Sequence, residues 1–357
     1  MALKVAVLDD YQSAAEEYFR ALGEEFEVTY FKDTLLPYNH PETPQDARDE
    51  LVQRLEPFQI ISTTRERTPF PAELIERLPN LKLLLTNRPR NLALDLDTFK
   101  KKGITVASVM GIEPVGYTPI VDPTSEHILT LIMALSKNIA ADDASVKSGG
   151  WQTGFSTSLS GKTLGLVGLG RLGAITAKML HAALGMQVIA WSPNLTQDKA
   201  DKEARGAGFA VTQADGRPTF QSVSREEVFS KADVISVHLV LSDRSRGLIT
   251  SDDLRKMKPE SFFVNTSRGP LVVEKDLLET LKQGRIRGAA LDVFDIEPLP
   301  ADSEWRTTEW GKEGRSRVLL TPHTGYVEEA TIKGWYELQA EEILRWKNGE
   351  EPGMRLA

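Results

Sequence analysis

Thr163-Leu164-Gly165-Leu166-Val167-Gly168-Leu169-Gly170-Arg171-Leu172-Gly173 is the stretch on which the reading of this chain turns. A short apolar run of strand length leads straight into a G-x-G-x-x-G, and Ala174 to Leu184 then has helical composition. Gly185 closes that helix and Met186 to Trp191 reads as a second strand. Strand, glycine turn, helix and strand together make one β-α-β unit.

The motif has a steric and an electrostatic side. Gly168 permits the tight turn, Gly170 lets the backbone approach a pyrophosphate, and Gly173 lets the helix pack closely on the strand, while the first helical turn offers free N–H donors to phosphates. Arg171 and Leu172, between the glycines, belong to the same cofactor-binding set. A G-x-G-x-x-G alone is a weak signal; its place after a strand and before a glycine-terminated helix makes it a dinucleotide site.

A site for NAD usually carries Asp or Glu about 20 residues further on, to hold the ribose 2′-OH. Here that place, in Ala190-Trp191-Ser192-Pro193-Asn194, holds Ser192. Without a carboxylate nothing repels a 2′-phosphate, and Ser192 and Asn194 can donate to one. NADP(H) is therefore favoured over NAD(H), with both kept open: no Arg stands beside Ser192, and Lys199, Lys202 and Arg205 are near only in sequence.

With 357 residues, two domains are the natural expectation. The composition, 41% hydrophobic and 26% charged, is that of an ordinary globular protein. The net charge of -8 argues against nucleic acid or an anionic membrane surface as partner, so an anionic substrate has to be met by local cations. The absence of cysteine excludes disulfides, thiolate metal sites and a cysteine nucleophile. The five histidines do not cluster with carboxylates at ligand spacing, so no metal is expected. Lys4-Val5-Ala6-Val7-Leu8 enters a strand at once, without a signal-peptide pattern, and no apolar run reaches membrane-spanning length. A cytoplasmic location is expected.

Residues 1–121 alternate short apolar runs with amphipathic stretches, the pattern of parallel α/β units. Strands are expected at Lys4-Leu8, Val28-Phe31, Gln59-Ser62, Leu83-Thr86 and Thr105-Ser108. Asp122-Pro123 reads as an N-cap followed by proline at the first helical position, with Ile128, Leu131, Ile132, Leu135 and Ile139 on one buried face. Beyond Trp191 further strands are expected at Gly208-Val211, Val234-His238, Ser261-Asn265, Gly288-Phe294 and Val318-Thr321, completing a seven-stranded doubly wound sheet. Ser224 to Glu227 is a capping box, and Gly284 follows a helix that starts near Glu274. The polar insertion 301–317, with Trp305 and Trp310, reads as a lid, a dimer contact or a surface loop. A last helix, from Glu328 to about Asn348, leads back to the first domain.

Three loops at the carboxyl ends of expected strands each hold one reactive group: Asn265-Thr266-Ser267-Arg268-Gly269, Asp292-Val293-Phe294-Asp295-Ile296-Glu297-Pro298 and Thr321-Pro322-His323-Thr324-Gly325. Together with Leu78-Pro79-Asn80-Leu81-Lys82, Thr124-Ser125-Glu126, Ala232-Asp233-Val234 and Met257-Lys258-Pro259, they make the chain resemble, over nearly its whole length, the D-isomer-specific 2-hydroxyacid dehydrogenase family. That family includes D-3-phosphoglycerate dehydrogenases and glyoxylate/hydroxypyruvate reductases. The resemblance implies an α/β protein of two domains, a Rossmann doubly wound parallel sheet over 122–331 and a flavodoxin-like α/β substrate domain over 1–121 completed by 332–357.

By the same resemblance, Arg268 binds the substrate carboxylate and polarises the keto oxygen, His323 is the acid/base, and Glu297 orients the imidazole and keeps it protonated. Asp292 is similar to the residue that meets the nicotinamide carboxamide, and Thr266 and His323 join the cofactor set. His238 is expected to be structural. A homodimer through the cofactor domain is implied, with a small 2-keto or 2-hydroxy acid as substrate. Some relatives act instead as NAD(H)-responsive corepressors, but this chain has no long disordered tail or charge run to suit an interaction hub. In formate dehydrogenase relatives an amide partners the histidine, where this chain has Glu297. One departure concerns the substrate. The family's glycine-rich carboxylate loop is replaced by Thr86-Asn87-Arg88-Pro89-Arg90-Asn91, and with Thr64-Arg65-Glu66-Arg67-Thr68 nearby, Arg65 or Arg88 is a candidate for a second anionic group of the substrate.

Overall fold

The computed structural model describes residues 2–109 and 121–357. The stretch 110–120, inside the domain expected over 1–121, lies outside the described residues. The chain separates into two compact units, one of Met1–Thr118, Ile296–Pro298 and Val327–Ala357, the other of Pro119–Asp295 and Leu299–Tyr326. Among the described residues no helix is long and apolar enough to cross a membrane.

The first unit is built on β1 (Leu3–Val7), β2 (Phe26–Tyr30), β3 (Ile60–Ser62), β4 (Leu83–Thr86) and β5 (Thr105–Ser108), all in the places expected of them. They form one parallel sheet in the order β2-β1-β3-β4-β5, the flavodoxin-like arrangement. Every residue of β3 and β4 is buried, as befits central parallel strands covered on both faces. The helix Glu329–Lys347 belongs to this unit: Ser62 Oγ donates to Gln339 Oε1 at 2.5 Å, and Gln339 Nε2 donates to Thr63 O at 3.2 Å, both in the interior.

The second unit holds β6 (Thr163–Val167), β7 (Gln187–Trp191), β8 (Phe220–Ser222), β9 (Val234–Val237), β10 (Phe262–Asn265), β11 (Gly288–Leu291) and β12 (Arg317–Leu320). All pair in parallel in the order β8-β7-β6-β9-β10-β11-β12, a Rossmann sheet extended by one strand. The strand order reverses between β6 and β9, and a crevice outside the carboxyl ends of these two strands is where this architecture binds ligands.

Two local readings are corrected. The third strand of this sheet is Phe220–Ser222 and not Gly208–Val211. Gly208, at φ +87°, ends the preceding helix, and Thr212 then bridges antiparallel to Pro218 around a turn at Gly216, so the earlier apolar run is a hairpin flank. The helix that begins at Pro123, capped by Asp122 as expected, buries Ile128, Leu131, Ile132 and Leu135 but stops at Lys137. Asn138 takes a left-handed φ of 58° and a second helix, Ile139–Lys147, begins beyond it, leaving Ile139 56% exposed. In the insertion 301–317, most of which lies at the surface, Trp305 is fully buried beside Phe294, and Trp310 donates its indole N–H to Trp305 O at 3.0 Å.

Candidate active site

At the end of β6 the glycines do what their spacing demands. Gly168 sits at φ +108°, where a side chain is strained, and a Cβ there would meet the His238 backbone at 2.9 Å. A Cβ on Gly173 would run into Gly168 O, so helix and turn touch through backbone. Around Gly170 a Cβ would find no atom within 4 Å, and the helix Arg171–Leu184 that starts there has no side-chain cap. An open, uncapped helix N-terminus beside a tight glycine turn fits the pyrophosphate of a dinucleotide. The Arg171 guanidinium turns away to Asp122, at 2.8 Å, leaving its backbone N–H as its contribution to the turn. Burial pushes the Asp122 carboxyl up, but the bond and charge of Arg171 outweigh it and hold the group below the usual carboxylate range.

Ser192 follows the last residue of β7. Here the fold adds a cation that distance along the chain did not decide: the helix Gln197–Gly206, capped by Thr196, folds back so that Lys199 Nζ donates to Asn194 O at 2.6 Å. Arg225 also comes close, its guanidinium 5.4 Å from the Trp191 ring centroid, but Asp253 holds it through two bonds of 2.9 and 2.6 Å. The ring nitrogens of His238, just after β9, are shut off from solvent without a partner among the described residues, and burial pulls its pKa down to about 4.

Arg268, Asp292 and His323 follow three neighbouring strands, β10, β11 and β12. The Arg268 loop is braced from within: Asn265 Nδ2 donates to Arg268 O at 3.0 Å, Ser267 N donates to Asn265 Oδ1 at 3.1 Å, and Ser267 Oγ donates to Val237 O at 2.8 Å. Thr266 is buried in this loop, and its hydroxyl has no hydrogen-bond partner among the described residues. Arg268 itself is half-buried.

Asp292 is 1% exposed and is the hub of the second and third loops. Its Oδ1 accepts from Thr321 Oγ1 at 2.6 Å and Thr324 N at 2.9 Å, and its Oδ2 accepts from Gly325 N at 3.0 Å. His127 Nε2 lies 3.2 Å from Oδ1 and 3.1 Å from Thr321 Oγ1. Burial raises the Asp292 carboxyl, but the bonds from His127 and Thr321, with the charges of His127 and His323, prevail and keep it below its ordinary value. His323 stands between those donors at φ +51°, its ring edge-on to Tyr326 with centroids 5.6 Å apart. His127 was missed in the sequence, although it directly follows Thr124-Ser125-Glu126 near the start of the helix.

Glu297 is half-buried and belongs, with Ile296 and Pro298, to the first unit, whereas Arg268, Asp292 and His323 belong to the second. In the first unit Arg65 is no solvated surface arginine. Its side chain is 17% exposed, its backbone is left-handed at φ +53°, Asn87 Oδ1 accepts its N–H at 2.8 Å and Asn91 Nδ2 donates to its carbonyl at 2.7 Å. Arg65 and Arg88 flank one carboxylate, Glu66, at 3.7 and 3.6 Å.

Residues 129–325 match the model of the D-isomer specific 2-hydroxyacid dehydrogenase NAD binding domain. A glyoxylate reductase of Thermofilum pendens is 31% identical over 290 residues, 79% of this chain and 76% of that protein. A crystal structure of a putative D-3-phosphoglycerate dehydrogenase from Ralstonia solanacearum superposes with a TM-score of 0.80 at 31% identity, covering 99% of this chain and 96% of that one. The structure of a phosphoglycerate oxidoreductase from Vibrio cholerae gives 0.78 at 31% identity, over 97% and 99% of the two chains. With its glycine turn, its extended Rossmann sheet and its three strand-end loops, the chain belongs to the D-isomer specific 2-hydroxyacid dehydrogenase family, NAD-binding oxidoreductases that interconvert 2-hydroxy and 2-keto acids.

Proposed function

We propose that the protein reduces small 2-keto acids to D-2-hydroxy acids, with NADP(H) preferred over NAD(H). The observation that carries this reading is the placement of Arg268, Asp292 and His323 after three adjacent strands of a sheet whose first turn is shaped for a dinucleotide. The uncapped helix start at Gly170 to Gly173 and the Ser192 loop would hold the dinucleotide, with Thr266 and Asp292 on its nicotinamide side. When bound, it supplies the hydride.

The rest is the work of side chains. Arg268 binds the substrate carboxylate through its planar fork and draws charge onto the keto oxygen, a geometry that lysine does not reproduce. His323 delivers the proton to that oxygen in reduction and removes it in oxidation, and Glu297 orients the imidazole. Arg65 or Arg88 meets a second anionic group of the substrate; the gathering of two guanidiniums about Glu66 supports this.

Ser192 in place of a carboxylate and Lys199 folded against Asn194 support NADP(H). The protein acts as a homodimer through the cofactor unit: the helix Ile139–Lys147 buries none of its residues, and Trp151 and Phe155 beyond it are 75% and 90% exposed.

Initial rates with NADPH and NADH against glyoxylate, hydroxypyruvate, pyruvate and 2-oxoglutarate test the reading, repeated on His323→Ala and Lys199→Ala. His323→Ala should lose roughly 10²- to 10⁴-fold in kcat. Lys199→Ala should raise the KM for NADPH by roughly 10-fold or more while leaving that for NADH alone. Full turnover by His323→Ala would remove the mechanism, and equal effects of Lys199→Ala on both dinucleotides would remove the cofactor preference.

A further inference from the structure

We propose that His127 is a positioning residue for the acid/base step, acting through Asp292 on the turn that carries His323; this rests on the reading of His323 given above. A histidine at φ +51° occupies the left-handed region, which a β-carbon disfavours, so something has to hold it there. What holds it is one carboxylate: the N–H groups of the next two residues, Thr324 and Gly325, both point at Asp292, at 2.9 and 3.0 Å. Successive N–H groups around a left-handed residue form an anion-binding concavity, and Asp292 is the anion. A β-carbon on Gly325 would lie 3.1 Å from Asp292 Oδ2 and 3.4 Å from His127 Cδ2, so the turn closes tightly on the pair.

His127 determines how well that anion is held. Ionised Asp292 can only accept, and the Thr321 hydroxyl spends its proton on it at 2.6 Å. The ring nitrogen of His127 that faces both must therefore be an N–H, shared between Asp292 Oδ1 at 3.2 Å and Thr321 Oγ1 at 3.1 Å. With Thr321 and Thr324 this donor converges on Oδ1, while the Gly325 N–H takes Oδ2. His127 projects from near the start of the helix Pro123–Lys137, whose apolar face is packed in the interior, so it ties the turn to a rigid element. Its side chain is 18% exposed, and nothing in the proposed mechanism otherwise uses it.

The experiment compares His127→Phe, which removes the donor, with His127→Gln, which keeps one, beside His323→Ala and the double variant His127→Phe/His323→Ala. The measured quantities are kcat and KM for glyoxylate, the dinucleotide Kd by fluorescence, and the pH profile of kcat. His127→Phe should lose about 10- to 100-fold in kcat, the scale of a misplaced catalytic group, with KM and Kd nearly unchanged. The acid limb of its profile should move to higher pH, because Asp292 has lost a donor that favours its ionised form. His127→Gln should recover most of the rate, and the double variant should be no slower than His323→Ala alone. An unchanged kcat and pH profile in His127→Phe, where His323→Ala is inactive, overturns the inference and leaves the functional reading standing. Equal losses in the Phe and Gln variants with an unmoved pH profile, or multiplicative losses in the double variant, overturn it too. A fully active His323→Ala removes both.

Discussion

Gly269→Ala puts the packing behind Arg268 to the test. A β-carbon at this position would stand 2.5 Å from Asp295 N and closer still to the Phe294 carbonyl group. Ordinary contact begins at 3.4 Å and the Phe294 carbonyl group would lie at 2.0 Å, so the chain has to open by about 1.4 Å between the Arg268 loop and the 294–295 segment. Both sides are backbone, and neither yields readily. The loop is tied to Asn265 and to Val237 O, while Phe294 is buried against Trp305. Overpacking of this kind costs typically about 1–3 kcal/mol, which in a unit of this size lowers Tm by roughly 2–10 °C. The kinetic penalty is sharper, because a displacement near 1 Å in a substrate-binding group costs about 100-fold. The assay is kcat/KM for the keto acid, dinucleotide Kd by fluorescence, and a thermal melt. The expected result is a kcat/KM reduced about 100-fold with Kd within about threefold of the parent, since the glycine turn follows a different strand. A Gly269→Ala protein with unchanged kcat/KM and Tm would show that the two backbone segments separate freely, and the reasoning would fall.

Two buried titrating groups predict opposite pH dependences of stability. His238, held down to about 4 by burial, stays neutral in the folded protein while the unfolded chain takes up a proton near 6.5, so stability should fall as pH drops from 6.5 to 4, by at most about 3 kcal/mol. Urea unfolding of His238→Leu should lack that component, and a parent and variant with parallel pH dependences would contradict the assignment. Asp9, raised to about 6 by burial against the opposing pulls of Thr34 and Arg67, holds its proton when folded, so its contribution is full below pH 3.8 and lost as pH rises through 6. Asp9→Asn should therefore be the more stable protein at pH 7, by up to about 3 kcal/mol, with the gap closing near pH 4; lower stability of the variant at pH 7 would refute this.

The parts of the fold legible in the sequence were those written in local pattern. β3 and β4 are short apolar runs because both faces of a parallel sheet are covered, and the caps at Asp122 and Ser224 and the helix ends at Gly185 and Gly284 rest on local backbone chemistry. The failures came where tertiary contacts decide. Asn138 breaks a helical pattern that continues through Ile139, and Gly208 to Val211 imitates a strand beside a real one that begins at Phe220. Two stretches quoted for the family resemblance turn out to brace the sheet: Lys258 Nζ reaches Asp233 Oδ1 at 3.0 Å, and Asp233 Oδ2 accepts the N–H of Thr163 at 2.8 Å. Of the candidate site, the strand-end loops were legible because each lies just after an apolar run. His127 was not, because its partner Asp292 is 165 residues away, and Lys199 was not, because its role depends on how the side chain folds back.

Asp9 and Asp292 show why position after a strand is only half of a carboxylate's chemistry. Each follows shortly after a parallel strand, and they are 2% and 1% exposed, yet their acidities move in opposite directions. Burial acts on both alike, raising the carboxyl. What differs is the count of donors. Asp292 collects two backbone N–H groups, two threonine hydroxyls and an imidazole N–H, and these outweigh the desolvation. Asp9 receives the Thr34 hydroxyl on Oδ1, while its Oδ2 is buried without a hydrogen-bond partner among the described residues, so desolvation prevails. An ionised group is the one that can pin successive N–H donors and hold a histidine in a left-handed turn. The donors gathered around Asp292 thus explain why the histidine-bearing loop of the second unit is anchored by a charge, and a single lost donor such as His127 is where that anchoring should first weaken.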